Sequence, residues 1–299
     1  MSKFKGALTA LITPFDKIDH LDEEGLRLLI SRQVESGIAG IVFLGTTGED
    51  PTLSQQEKER VMQIGKEECL GRTVFIVGTG SYSTKTTIEN TLRAERFGAE
   101  AALIVTPYYN KPTQEGLYRH FKTIAEATPL PLIIYNAPWR TGQNMHTDTL
   151  KRLMEIPSIV GVKETSGNIS QINDVIAAVK NMRPDFCVLS GDDEITLPLM
   201  ALGGDGIISV ISNLVPQSVV DLVSLIQSGD YVAAQKLHHD LMPLMRAAFL
   251  ETNPIPIKAA LAMHGLPAGH CRLPLSPLSA ENAATLEIVS QMEFYGSTL

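Results

Sequence analysis

Short, almost wholly apolar runs alternate along the chain with longer stretches whose apolar residues recur every three or four positions. The runs cover residues 6–12, 40–44, 73–77, 101–106, 131–135, 159–163, 186–190 and 206–210. Each is rich in Val, Ile and Ala and bounded by Gly, Pro or polar residues, the pattern of a strand buried on both faces. The stretches between them predict helices over 22–36, 55–69, 84–97, 113–127, 147–155, 169–180, 194–202 and 216–227. Local signals mark several ends: an acidic first turn at 22 with Gly37 at the far end, Ser54 with Glu57 three residues on as a capping box, and Gly98 closing the third helix.

Eight strand–helix units with unalternating strands predict a parallel sheet covered by helices. The count of eight favours a closed (β/α)8 TIM barrel over an open doubly wound sheet. The open sheet would need a nucleotide site at a switch point. The one GxG, Gly78-Thr79-Gly80, has Ser83 where a third glycine belongs, and reads better as a strand-end turn. Three further helical stretches, 231–250, 256–264 and 280–295, exceed what a barrel needs. The expected organisation is therefore a catalytic barrel over 1–229 and a C-terminal helical extension over 230–299, packed on it.

The 299 residues carry a formal net charge of −8 with the acids dispersed, which argues against nucleic acid and anionic membranes as partners. No segment has the length and hydropathy of a membrane span. The first residues lack the apolar core and cleavage site of a signal peptide. Cys69, Cys187 and Cys271 lie far apart with no CxxC, as reduced thiols would in a cytoplasmic enzyme. The seven histidines form neither HxH nor HExxH, and His238-His239-Asp240 reads as a solvated helix face. No GxSxG elbow supports a serine hydrolase. Neither a metal nor a cofactor is expected.

In a barrel of this kind chemistry collects at the C-terminal ends of the strands. Lys163 ends the sixth run. An amine there is desolvated, its neutral form is favoured, and it becomes a nucleophile for carbonyl carbon. Taken alone, such a lysine more often snorkels to a rim or pairs with an acid. The other strand ends change the balance. The second carries Gly45-Thr46-Thr47-Gly48-Glu49, with hydroxyls between glycines. The fourth carries Tyr108 and Tyr109, one of which is expected to face the mouth. The fifth carries Tyr135, a proton donor and acceptor, and Arg140, a fork for a carboxylate. The seventh carries Gly191-Asp192-Asp193, whose acids read as caps of the next helix. Lysine, tyrosine, hydroxyls and arginine at one mouth point to carbon–carbon bond chemistry through an imine.

The motifs Gly45-Thr46-Thr47-Gly48-Glu49, Tyr135-Asn136-Ala137-Pro138 with Arg140, Lys163-Glu164-Thr165-Ser166-Gly167, Gly191-Asp192-Asp193 and Asn253-Pro254-Ile255-Pro256-Ile257-Lys258 closely resemble the dihydrodipicolinate synthase family. That family belongs to the pyruvate-dependent aldolases, which include N-acetylneuraminate lyase. The resemblance runs from about Lys5 to Pro267. It implies condensation of pyruvate with L-aspartate 4-semialdehyde on the diaminopimelate route to lysine. It further implies a Schiff base on Lys163 and proton transfer by Tyr135. Thr46 and Tyr109 would complete a relay, with Tyr109 supplied by a neighbouring subunit of a homotetramer built from tight dimers. Thr47 would hold the pyruvate carboxylate in a pocket lined by Ile207 and Gly191, and Arg140 would hold the carboxylate of the semialdehyde. Another pyruvate-dependent aldolase acting on sugar acids, and a non-catalytic barrel binding a keto acid, are the competing readings. Arg140 disfavours the first, since a polyol needs hydroxyl partners. The intact set of Lys163, Tyr135 and Thr46 disfavours the second. One departure concerns regulation: Tyr82 and Thr86 stand where lysine-inhibited members carry asparagine and glutamate, implying weak or absent inhibition by lysine.

Overall fold

The computed structural model describes residues 3–292. The elements follow as β1 (Gly6–Ala10), α1 (Glu23–Glu35), β2 (Gly40–Phe43), α2 (Gln55–Cys69), β3 (Val74–Gly78), α3 (Thr84–Arg96), β4 (Ala101–Val105), α4 (Gln114–Ala127), β5 (Leu132–Asn136), α5 (Pro138–Thr141), α6 (Thr147–Met154), β6 (Ile159–Glu164), α7 (Ile169–Met182), β7 (Cys187–Ser190), α8 (Thr196–Ala201), β8 (Gly206–Ser209), α9 (Pro216–Ser228), α10 (Tyr231–Ala247), α11 (Ile255–Met263) and α12 (Ala280–Ser290). All eight strands pair in parallel, and β8 closes on β1. The TIM barrel expected from the apolar runs is the observed fold.

Two apolar layers result. An inner cluster joins Leu8, Val42, Ile76, Leu103, Ile133, Leu189 and Ile208 inside the barrel. A larger cluster fills the space between strands and helices. Gly78 is required by closure: a Cβ there would lie 2.3 Å from the Leu44 carbonyl oxygen. The start of α2 is fixed as the sequence indicated, and α1, α3 and α4 carry caps beyond those read from the sequence. Ser54 and Glu57 form a reciprocal capping box, and Asp22, Ser83 and Thr113 cap α1, α3 and α4.

Differences are few. The short α5, which directly follows β5, escaped the periodicity because four residues give no repeat. The predicted helix over 194–202 divides into a 3-10 turn, Asp193–Ile195, and α8. The expected helix over 280–295 is seen as α12 to Ser290, and residues 293–295 lie outside the described residues. His238 is buried, not solvated, because it falls in phase with Ala234 and Leu241 on the packed face of α10; His239 and Asp240 are exposed. No described helix is long and apolar enough to cross a membrane.

The helices after the barrel are anchored by a buried ion pair. Lys258 Nζ of α11 lies 2.7 Å from Glu49 Oε1 and donates to the carbonyls of Thr13 and His270. The second Glu49 oxygen accepts from the Arg272 backbone N–H at 2.9 Å. Both side chains are almost wholly removed from water. Removing one partner strands the other as a buried charge. Lys258→Met is therefore expected to lower the unfolding free energy by about 3–5 kcal/mol in urea denaturation. Glu49→Leu/Lys258→Met should lose less than either single change. A single variant within about 0.5 kcal/mol of the parent would contradict this role for the pair.

Candidate active site

At the C-terminal mouth of the barrel is a cavity of about 250 Å³. Thr46, Thr47, Tyr108, Tyr135, Arg140, Lys163 and Gly191 all contribute to its wall. Lys163 and Tyr135 are register partners on β6 and β5, and Lys163 Nζ sits 4.4 Å from the centre of the Tyr135 ring. Lys163 is buried at 5 % exposure. Burial lowers its pKa to about 8, partly opposed by the charge of Asp193, while Arg140 pushes in the same direction as burial. At pH 7 roughly a tenth of such an amine is neutral, against roughly one part in 3,000 at the ordinary value. Burial pushes the Tyr135 phenol upward from its ordinary range, with the Arg140 guanidinium and the Thr165 hydroxyl pulling the other way.

Gly191 is dictated by this arrangement. A Cβ at that position would lie 2.7 Å from Lys163 Cε and closer still to Thr165 Oγ1. Only a residue without a side chain lets the lysine extend across the end of β7. Asp192 caps the turn after β7, accepting from the Glu194 N–H at 3.1 Å, as read from the sequence. Asp193 does something else: it is buried and accepts from Ser209 Oγ at 2.5 Å and from the Val210 N–H at 3.0 Å, tying the end of β7 to that of β8. Burial raises its pKa to about 6.

Arg140 is placed by α5. Pro138 starts that turn and Gly142, at φ 72°, ends it. The guanidinium stacks on Trp139, 4.6 Å from the ring centre. Burial lowers its pKa, and Nε is buried without a hydrogen-bond partner. Asn253 donates its Nδ2 to Thr47 Oγ1 at 2.9 Å, while its own Oδ1 is buried without a partner. An unmet buried polar group costs about 1–3 kcal/mol. Two on one cavity wall therefore favour a ligand with polar groups of its own.

Two expected site residues are not on this wall. Ile207 packs outward into the layer beneath the helices. Side chains alternate along a strand, so the inward position of β8 is Ile208, and the next residue in phase, Val210, lines the cavity. Ile207 as a wall of the pyruvate pocket is thus corrected. Tyr109 is 88 % exposed with φ 65°, pointing away from its own barrel, while Tyr108 takes the place at the mouth. Other wall residues were missed: Asp50, Trp139, Val210, Phe249 and Asn253. Phe249 and Asn253 come from the chain between α10 and α11, where a rule about strand ends has no reach. No group of three or more His, Cys, Asp or Glu suited to a metal occurs among the described residues.

Comparison with known proteins agrees with this fold. Residues 3–292 match the Dihydrodipicolinate synthetase family. The 4-hydroxy-tetrahydrodipicolinate synthase of Protochlamydia amoebophila (strain UWE25) is 56 % identical, with 94 % of each chain covered. Among solved structures, the dihydrodipicolinate synthase of Thermotoga maritima superposes with a TM-score of 0.94 at 43 % identity, covering 96 % of this chain and 97 % of that one. The enzyme of Cyanidioschyzon merolae, solved with lysine bound, gives 0.92 at 38 % identity, covering 97 % and 98 %. A match along all the described residues, at this level of identity and with the same fold, has one reading: the chain belongs to the dihydrodipicolinate synthetase family.

Proposed function

We propose that this enzyme condenses pyruvate with L-aspartate 4-semialdehyde through an imine on Lys163, forming 4-hydroxy-tetrahydrodipicolinate on the diaminopimelate route to lysine. The observation that carries the reading is a largely buried amine with a pKa near 8, set 4.4 Å from a tyrosine ring inside a cavity that also holds an arginine. The neutral amine attacks the keto carbon of pyruvate, and loss of water leaves an iminium. The iminium is an electron sink, so a methyl proton leaves toward Tyr135 and an enamine forms. The enamine carbon attacks the aldehyde carbon, the aldehyde oxygen takes up the proton from Tyr135 as the hydroxyl, and Arg140 holds the semialdehyde carboxylate. The amine of that substrate then attacks the imine carbon, closing the ring and freeing Lys163.

Thr47 is assigned to the pyruvate carboxylate, and Gly191 leaves the space in which the imine lies. Thr46 and Tyr109 are assigned to a relay between Tyr135 and solvent. The outward set of Tyr109 supports its delivery to a neighbouring barrel, which fits a homotetramer of paired dimers. The enzyme is assigned by this reaction to the lyases and, as a proposal from its composition, to the cytoplasm, with no cofactor in any of these steps.

Arg140→Ala removes a charge-assisted carboxylate contact of about 1.5–3 kcal/mol. The KM for the semialdehyde is expected to rise roughly 10- to 100-fold, with the KM for pyruvate changed far less. Equal changes in both would reduce Arg140 to a structural part.

Regulation is the second expectation. Tyr82 packs edge-on against Tyr108, with ring centres 5.4 Å apart, and Lys58 is paired with Asp50 at 2.9 Å. With Thr86 in place of an acid, a lysine ammonium finds no anionic partner at that position. Activity in a lysine titration should stay within twofold of its starting value to about 1 mM. Half-inhibition well below that concentration would contradict the assignment.

A further inference from the structure

Among the strand pairings of the barrel, β5 with β6 carries a register shift. Leu132 pairs with Ile159, but Ile133 pairs with Gly161, so Val160 is an extra residue in β6. Without that bulge Tyr135 would stand opposite Val162. With it, Tyr135 stands opposite Lys163. A bulge re-aims the side chains beyond it, and it needs something to hold the new register.

The next pair along is Asn136 opposite Glu164. Both are buried, at 1 % and 2 % exposure. Asn136 Nδ2 donates to Glu164 Oε2 at 3.0 Å and to Asn144 Oδ1 at 2.9 Å, while its Oδ1 accepts from the Met145 N–H at 3.0 Å. Every hydrogen-bonding group of that amide is therefore used. Asn136 and Met145 bound the segment that carries Arg140, so one side chain closes the Arg140 loop at its own base. Asn144 is held in turn by Gln171 of α7, which accepts from Asn144 Nδ2 at 2.7 Å. Glu164 also accepts from the Ser166 N–H at 2.7 Å, and no ion-pair partner for it is found among the described residues. A carboxylate buried without a cation is a costly choice where an apolar residue would pack.

We propose that the Asn136–Glu164 pair is a positioning device: it fixes the β5–β6 register that sets Tyr135 against Lys163, and it suspends the Arg140 loop from the same amide. Neither residue touches the reacting atoms. This rests on the imine reading of Lys163, and it adds that the nucleophile and the carboxylate clamp are set by one buried junction.

The test uses the full-length enzyme and four variants. Imine formation is followed by borohydride trapping with pyruvate, and KM values are measured for both substrates. Glu164→Gln leaves one oxygen for two donors, so its NH2 must face either the Asn136 amide or the Ser166 N–H, and Asn136→Asp sets two carboxylates together. Each is expected to slow imine formation at least tenfold and to raise the KM for the semialdehyde. The exchanged pair, Asn136→Asp/Glu164→Gln, restores a donor facing an acceptor at the Glu164 contact but not at Asn144, so the imine rate should return to within about threefold of the parent while the KM for the semialdehyde stays raised. Should a single variant fail to fold, Gln171→Leu disturbs the Asn144 and Met145 end and leaves the Asn136–Glu164 contact in place. It is expected to raise the KM for the semialdehyde at least threefold with the imine rate unchanged. Single variants that match the parent in both readouts, an exchanged pair whose losses in imine rate multiply, or a silent Gln171→Leu would each overturn the proposal. A parent enzyme that traps no pyruvate would instead overturn the imine reading itself, so the two failures are distinct.

Discussion

Burial of the Lys163 amine at the mouth of a closed barrel is the constraint on which the rest of this structure depends. Eight parallel strands with apolar faces on both sides leave little water near the end of β6. An ammonium there loses solvation, so its proton is held less tightly. The neighbouring residues then follow from the lysine's needs. Gly191 vacates the space that its stem crosses. Tyr135 lies beside it because β6 contains one residue more than β5 over the same span. Asp193, a negative charge nearby, partly offsets the effect of burial on the amine, and it also joins the ends of β7 and β8.

A second kind of constraint lies behind the reactive face. Residues that look catalytic by type are used to hold the frame. Glu49 ends a motif of hydroxyls and glycines, yet its carboxylate faces Lys258 and the Arg272 amide away from the cavity. Through that pair the chain after the barrel is drawn to the mouth, where Phe249 and Asn253 complete the wall. Asn253 reaches Thr47, so a hydroxyl from the second strand end is oriented by a residue more than 200 positions away. Function-bearing motifs and fold-bearing contacts thus occupy the same short stretches of sequence.

Much of this was legible in the residues alone. The strands are short apolar runs with clear punctuation, and the helices carry capping residues, so the barrel and the strand ends could be read directly. Lys163, Tyr135, Arg140, Thr46, Thr47 and Gly191 do meet at one cavity. What the sequence hides has physical reasons. Ile207 and Ile208 are both apolar in a strand buried on both faces, so no polar neighbour marks which one points inward. His238 looks like its exposed neighbour His239 until helical phase is set by packing. Phe249 and Asn253 reach the site through tertiary folding. The bulge at Val160 leaves no trace in composition, since one more β-branched residue lengthens an apolar run without breaking it.

The central claim is that Lys163 is the nucleophile because burial makes its amine partly neutral. Trapping with pyruvate and borohydride across pH, followed by peptide mapping, tests it most directly. The account predicts one reduced pyruvyl adduct, on the peptide carrying Lys163. Its rate of formation should rise about tenfold per pH unit below pH 8 and flatten above it, since only the neutral amine attacks and its pKa is lowered to about 8. An adduct on another lysine, no adduct in folded protein, or a rate still climbing tenfold per unit at pH 10 would contradict it.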